Sequence, residues 1–241
     1  NLTVILSAHY PGEEIGNSIV DVLWGATPPF GCLLYTIPKT LEDYRPPIFN
    51  LTTPPVSLDA WQTNFTEGLI IDNRHFDAND IEPQYEFGFG LTYAKFELEG
   101  EVDLKLSGTL APNADKSKGS APGGLKDLWT EFLTVDAQVK NSGEVDGHAV
   151  LQLYLTFPQD TTPAQTHVQV LRGFHKVFIK AGTTSTVRVS LMRRDVSFWD
   201  EKSDQWVIPE GDFTFKVGFS SRDKAALSDT ASLLSRMEEL S

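Results

Sequence analysis

The sequence predicts a mainly β protein: an antiparallel sandwich over its second half, preceded by a strand-helix-strand unit and a long loop. Three observations carry that expectation. From about residue 96 onward, apolar residues alternate with polar ones in short runs bounded by turn residues, as half-buried strands require. Near the start, Ile15, Ile19, Val22 and Leu23 recur at helical spacing between two Leu/Val/Ile-rich runs. Between these regions lies a stretch of Pro, Thr, Asn and Asp that follows neither period.

Composition narrows the function classes. The 241 residues are 40% hydrophobic, enough for a substantial core. Lys and Arg number 20 against 33 Asp and Glu, a formal charge of -13, with no basic block. That balance argues against nucleic acid or an anionic membrane surface as partner. No apolar run approaches the roughly 18 to 20 residues of a membrane span. The single cysteine, Cys32, excludes an intrachain disulfide and a thiolate zinc site, and no metal or cofactor is expected. Three sequons, at Asn1, Asn50 and Asn64, suit N-glycosylation and favour a secreted, extracellular protein.

Taken in order, residues 1 to 8 read as a strand buried on both faces of a parallel sheet. Such a strand needs neighbours, so a preceding segment is expected. After Pro11-Gly12, a helix is expected over Glu13 to Trp24, with Glu13 and Glu14 in its first turn and Gly25 as its left-handed stop. Two adjacent carboxylates invite an acid/base reading, but neighbours on a helix diverge by about 100°. A capping role accounts for them. Leu33 to Ile37 is expected to complete a parallel strand-helix-strand unit.

Residues 38 to 84 are expected to form a loop that clamps domains together. Within it, Asp72, Arg74, His75 and Asp77 concentrate charge beside Phe76. A sugar or carboxylate site is one reading, and an interdomain network of ion pairs and hydrogen bonds is the favoured one. Tyr85 to Tyr93 reads as a hinge in close packing, since its glycines let backbone approach where a Cβ would collide.

Beyond the hinge, strands are expected at Phe96 to Leu98 with Val102 to Leu106, Val135 to Val139, and Ala149 to Leu155. Others follow at Val168 to Leu171, Lys176 to Ile179, Thr186 to Leu191 and Phe213 to Phe219. Gly108 to Gly124 reads as a mobile surface loop, and Asn141-Ser142-Gly143 as a turn. Trp199 and Trp206 flank a hairpin at Asp200 to Asp204, while the tail from Ala225 fits neither period. Short strands so spaced indicate a sandwich of immunoglobulin or fibronectin type III kind. The expected divisions are 1–37, 38–84 and 85–241.

Several segments resemble the C-terminal third of fungal family 3 glycoside hydrolases, the β-glucosidases. They are Pro11 to Asn17 with Asp21 to Gly25, Gly68 to Asp77, Phe87 to Tyr93, Val139 to Gly143, Gln152 to Tyr154, Leu171 to Phe174, Arg193 to Asp195 with Trp199-Asp200, and Val217 to Arg222. The resemblance implies a secreted retaining glycosidase with a barrel, an α/β sandwich and a fibronectin type III-like domain. It places both catalytic carboxylates before Asn1, so no catalytic residue is assigned here. The expected partners are the N-terminal catalytic portion of the same enzyme and, through it, an oligosaccharide or glucoside. A β-xylosidase or a glycoside-detoxifying member of the family is an alternative. So is a carbohydrate-surface binding or scaffolding module using Trp61, Phe65 and Trp129. The departures are Gly31-Cys32-Leu33-Leu34-Tyr35-Thr36, where the family has Lys and Pro, and His9-Tyr10, for which an active-site rim is one reading and an interface filler the favoured one.

Overall fold

The computed structural model describes residues 4–9, 12–44, 66–108, 110–164 and 166–234. In chain order the strands are β1 (Phe96–Leu106), β2 (Ser120–Ala121), β3 (Gly124–Leu125), β4 (Glu131–Asn141), β5 (Gly147–Thr156) and β6 (Val170–Ile179). Then follow β7 (Thr184–Met192), β8 (Phe198–Asp200), β9 (Gln205–Val207), β10 (Asp212–Gly218) and β11 (Leu227–Ser232). Sheet order β1-β4-β7 packs against sheet order β11-β10-β5-β6, and every ladder is antiparallel. Alternation drives this packing. Val135, Ala137 and Val139 of β4 share one core with Leu151, Leu153 and Leu155 of β5, Val187 and Leu191 of β7, and Phe213, Phe215 and Val217 of β10. Each large apolar side chain so buried contributes about 1.5–3 kcal/mol.

The turn at residues 141–143 has a clear cause. Asn141 is fully buried; its amide donates to Val145 O (2.8 Å) and Ile179 O (3.0 Å) and accepts Gly143 N (3.1 Å). One side chain therefore ties the β4–β5 turn to the end of β6. The Trp199–Trp206 pair faces across the β8–β9 hairpin with ring centroids 5.8 Å apart. The tail supplies β11, an edge strand beside β10.

Four expectations are corrected. Residues 4–9 form no strand, and Val4, Ile5 and Leu6 are exposed, because among the described residues no strand pairs with them. Leu33 to Ile37 does not complete a parallel unit, since its hydrogen-bonding groups are taken by the hinge. Leu33 N donates to Phe89 O and Ile37 N to Tyr85 O, each at 2.8 Å, in an antiparallel pairing. The loop after residue 38 contains a helix, α2 below. Gly108 to Gly124 is built around buried Asp127, which accepts Asp115 N (2.9 Å) and Lys118 Nζ (2.5 Å), so it forms a 3-10 turn and the β2–β3 hairpin.

Helix α1 (Ile15–Leu23) starts just after Glu13 and Glu14, with Glu14 as its N-cap and accepting Asn17 Nδ2 at 2.6 Å. Gly25 has φ +79 and ends it as expected. None of its residues is buried. Helix α2 (Asn73–Ala78) buries His75 and Phe76.

Candidate functional site: the seam at residues 85 to 93

The hinge lies between two surfaces and bonds to both. On one side are residues 31–37, described above. On the other are β5 and the loop after β10: Ser221 N donates to Phe87 O (3.0 Å) and Ser220 Oγ to Glu86 Oε1 (2.6 Å). Gln152 is the keystone. Its Nε2 donates to Gly88 O (3.1 Å) and Phe219 O (2.7 Å), and its Oε1 accepts Tyr154 OH (2.6 Å).

Two glycines are dictated by this crowding. A Cβ on Gly88, which has φ +82, would stand 2.2 Å from Gln152 Oε1, and one on Gly90 would stand 2.8 Å from Gly31 O. The hinge is thus pressed from both faces. Burial pushes the Tyr154 hydroxyl far above its ordinary pKa, with the charge of Asp77 acting in the same direction. It stays a proton donor to Gln152.

Three of the four clamp residues have separate tasks. Asp72 Oδ1 accepts Thr36 N at 2.8 Å, and the His75 ring bonds Asp43 O through Nε2 at 3.0 Å, so both hold the front of the chain. Asp77 crosses to the sandwich: it receives Arg222 Nε (3.1 Å) and Nη2 (3.0 Å) on one oxygen and Gln169 Nε2 (3.1 Å) on the other. Arg74 makes no side-chain hydrogen bond or ion pair among the described residues. Burial lowers the pKa of Lys216, whose Nζ donates to Ser221 O at 2.8 Å below this network.

Gln152, Tyr154, Gln169, Ser220 and Arg222 were not singled out as site residues from sequence. Gln152 and Tyr154 occupy the polar positions of an alternating strand, so periodicity turned them toward solvent. Their signal was that β5 carries large side chains on both faces. Of the other residues weighed, His9 meets the Tyr35 ring edge-on (centroids 6.4 Å), and Trp129 is half-exposed with Arg194 5.0 Å over its ring. Asn1, Asn50, Asn64, Tyr10, Trp61 and Phe65 lie outside the described residues. Among the described residues no group of three His, Cys, Asp or Glu could hold a metal ion.

Two family models match in chain order. Residues 1–93 match the glycosyl hydrolase family 3 C-terminal domain, ending where the seam ends, and residues 149–221 match a fibronectin type III-like domain. The chain belongs to glycoside hydrolase family 3. Curated relatives of this family include a probable beta-glucosidase G of Aspergillus terreus, 48% identical over 224 residues, covering 92% of this chain and 27% of the relative. A probable beta-glucosidase D of Emericella nidulans is 41% identical with similar coverage. Among solved family 3 structures, the beta-D-glucoside glucohydrolase of Trichoderma reesei is 39% identical with a TM-score of 0.78, over 91% of this chain and 29% of that one. A beta-glucosidase of Chaetomella raphigera is 40% identical with a TM-score of 0.80, over 92% and 29%. The chain therefore spans a little over a quarter of the relatives it matches, corresponding to their C-terminal portion.

Proposed function

We propose that this chain is the C-terminal portion of a secreted, retaining β-glucosidase that removes terminal β-linked glucose from oligosaccharides or glucosides. Hydrolysis with retention needs two carboxylates about 5–5.5 Å apart, one attacking the anomeric carbon and one serving as acid and then base. These come from the portion of the family 3 polypeptide that this sequence does not span. The role of the present residues is structural: the seam locks the front segment onto the sandwich, and the front segment presents a surface to the catalytic portion.

The observation that carries this reading is the bare apolar surface at the front. Ile5 is 71% exposed, Trp24 78% and Leu34 81%, together with Val4, Val20 and Leu23. Large apolar side chains left in solvent in this segment of a family 3 chain suit a surface that packs on another part of the polypeptide. The decisive assay is turnover of an aryl β-glucoside. The 241-residue chain alone is expected to show none, and mixing or co-expressing it with the N-terminal remainder is expected to restore it. Leu23→Asp, placed in the apolar patch, should weaken that restoration. Turnover by the chain alone, in a preparation verified by mass, would refute the proposal. Glycosylation at Asn1, Asn50 and Asn64 predicts a mass excess removable by an endoglycosidase.

A further inference from the structure

Strand β6 carries a bulge. Leu153 of β5 pairs with Gly173 and Tyr154 pairs with Leu171, so Arg172 is the extra residue. A bulge re-aims the side chain it displaces. Gly173 lets the strand sit tight at this point, since a Cβ there would stand 2.4 Å from Val189 Cγ1. The Arg172 guanidinium lies 5.7 Å from the Phe157 ring centroid, and its buried Nε has no hydrogen-bond partner among the described residues.

Five residues earlier, His167 Nδ1 is also buried and without a partner among the described residues. Gln169, between them, fastens this segment to α2 through Asp77 Oδ2 (3.1 Å) and to Ser221 O (3.0 Å). Arg74, three residues before Asp77 on the same helix, is close enough for its charge to act on both His167 and Arg172. Burial first, then these two positive charges, holds His167 below its ordinary pKa. The carboxylate whose charge reaches Arg172 is Asp195, but its Oδ2 accepts Met192 N at 2.8 Å and closes its own turn. Arg194 adds further positive charge from the same turn.

Arginines on α2 and β6, with a buried guanidinium N–H and a buried imidazole nitrogen that lack partners among the described residues, are unexpected in a chain of net charge -13. A guanidinium presents a planar fork that matches a carboxylate. We propose that Arg74, His167 and Arg172 form a binding site for a carboxylate anion. The carboxylate belongs either to a free ligand such as a uronic acid or to a side chain of the remaining polypeptide. Only the second source rests on the function proposed above.

The test is a pH titration of the His167 ring protons by NMR in the 241-residue chain, with acetate or glucuronate against chloride at equal ionic strength. An anion in the site should raise the His167 midpoint by about one pH unit, saturably, because an opposite charge nearby favours the imidazolium. Arg172→Lys, which keeps the charge and removes the fork, should weaken the apparent affinity about tenfold, and Arg74→Gln should weaken it in a protein whose near-UV spectrum is unchanged. A non-saturable response, or one equal in wild type and Arg74→Gln, overturns the proposal. The intact enzyme separates the sources. A high midpoint unaffected by added anion identifies a side chain of the polypeptide; a low midpoint raised by anion identifies a free ligand; a low midpoint that no anion moves overturns the site. Because these readouts do not involve glucoside turnover, failure here and failure of the glycosidase reading are distinguishable.

Discussion

Replacing Gly88 by alanine tests the seam most directly. The residue has φ +82, and a Cβ there would lie 2.2 Å from Gln152 Oε1 and 2.7 Å from its Nε2. Left-handed backbone costs a residue with a Cβ about 1–2 kcal/mol. Gln152 cannot swing aside freely, because it is 4% exposed and holds Gly88 O, Phe219 O and Tyr154 OH together. Displacing it forfeits three hydrogen bonds at about 1 kcal/mol each. The expected loss is therefore about 4–5 kcal/mol, the sum of these two terms. With urea m-values of about 1–3 kcal/mol/M, the unfolding midpoint should fall by more than about 1 M. The assay is equilibrium unfolding followed by near-UV circular dichroism, repeated in a Gln152→Ala background. There the collision is gone, so Gly88→Ala should cost only the backbone term of about 1–2 kcal/mol. A cost below about 0.5 kcal/mol in the native background, or an equal cost in both backgrounds, would refute the seam as described.

Asp136 is buried on β4 and bonded to Arg188 Nε and Nη2 (2.7 Å each) and Lys105 Nζ (2.8 Å), and Arg188 above all holds its pKa well below the carboxylate range. Since the folded pKa lies below the unfolded value of about 3.9, its stabilisation is present above that pH and lost as pH falls. Asp136→Asn should thus cost about 2 kcal/mol at neutral pH, and the gap to wild type in urea midpoint should narrow toward about pH 3. Asp77→Ala removes the partner of Arg222 and Gln169, and is expected to speed amide exchange in α2 and in residues 219–222 while leaving β4 and β7 protected; uniform acceleration would contradict the local role. Burial raises the pKa of the Cys32 thiol, so iodoacetamide at about pH 8 should alkylate it several-fold more slowly than free cysteine, and a rate matching the free thiol would show the front segment to be open.

The amino-acid sequence by itself determined the sandwich, because a period of two in apolar residues such as Val135, Ala137 and Val139 specifies which face of a strand is buried regardless of what lies beyond it. It also marked helix α1 and its stop at Gly25, both local features of spacing and backbone freedom. It marked Gly88 and Gly90 as points of close approach without saying to what. The tertiary structure decided the rest. Residues 33–37 pair antiparallel with the hinge because Tyr85–Phe89 is the available edge, a choice made by proximity and invisible in local propensity. Gln152 and Tyr154 are buried because a second layer covers the outer face of β5, so polar positions in the alternation became the centre of the seam. Arg172 left the register of β6 through a bulge, an irregularity of pairing that alternation along one strand does not report. Periodicity reports how an element meets water; it carries no information on which other element displaces that water, and at the seam that displacement determines the site.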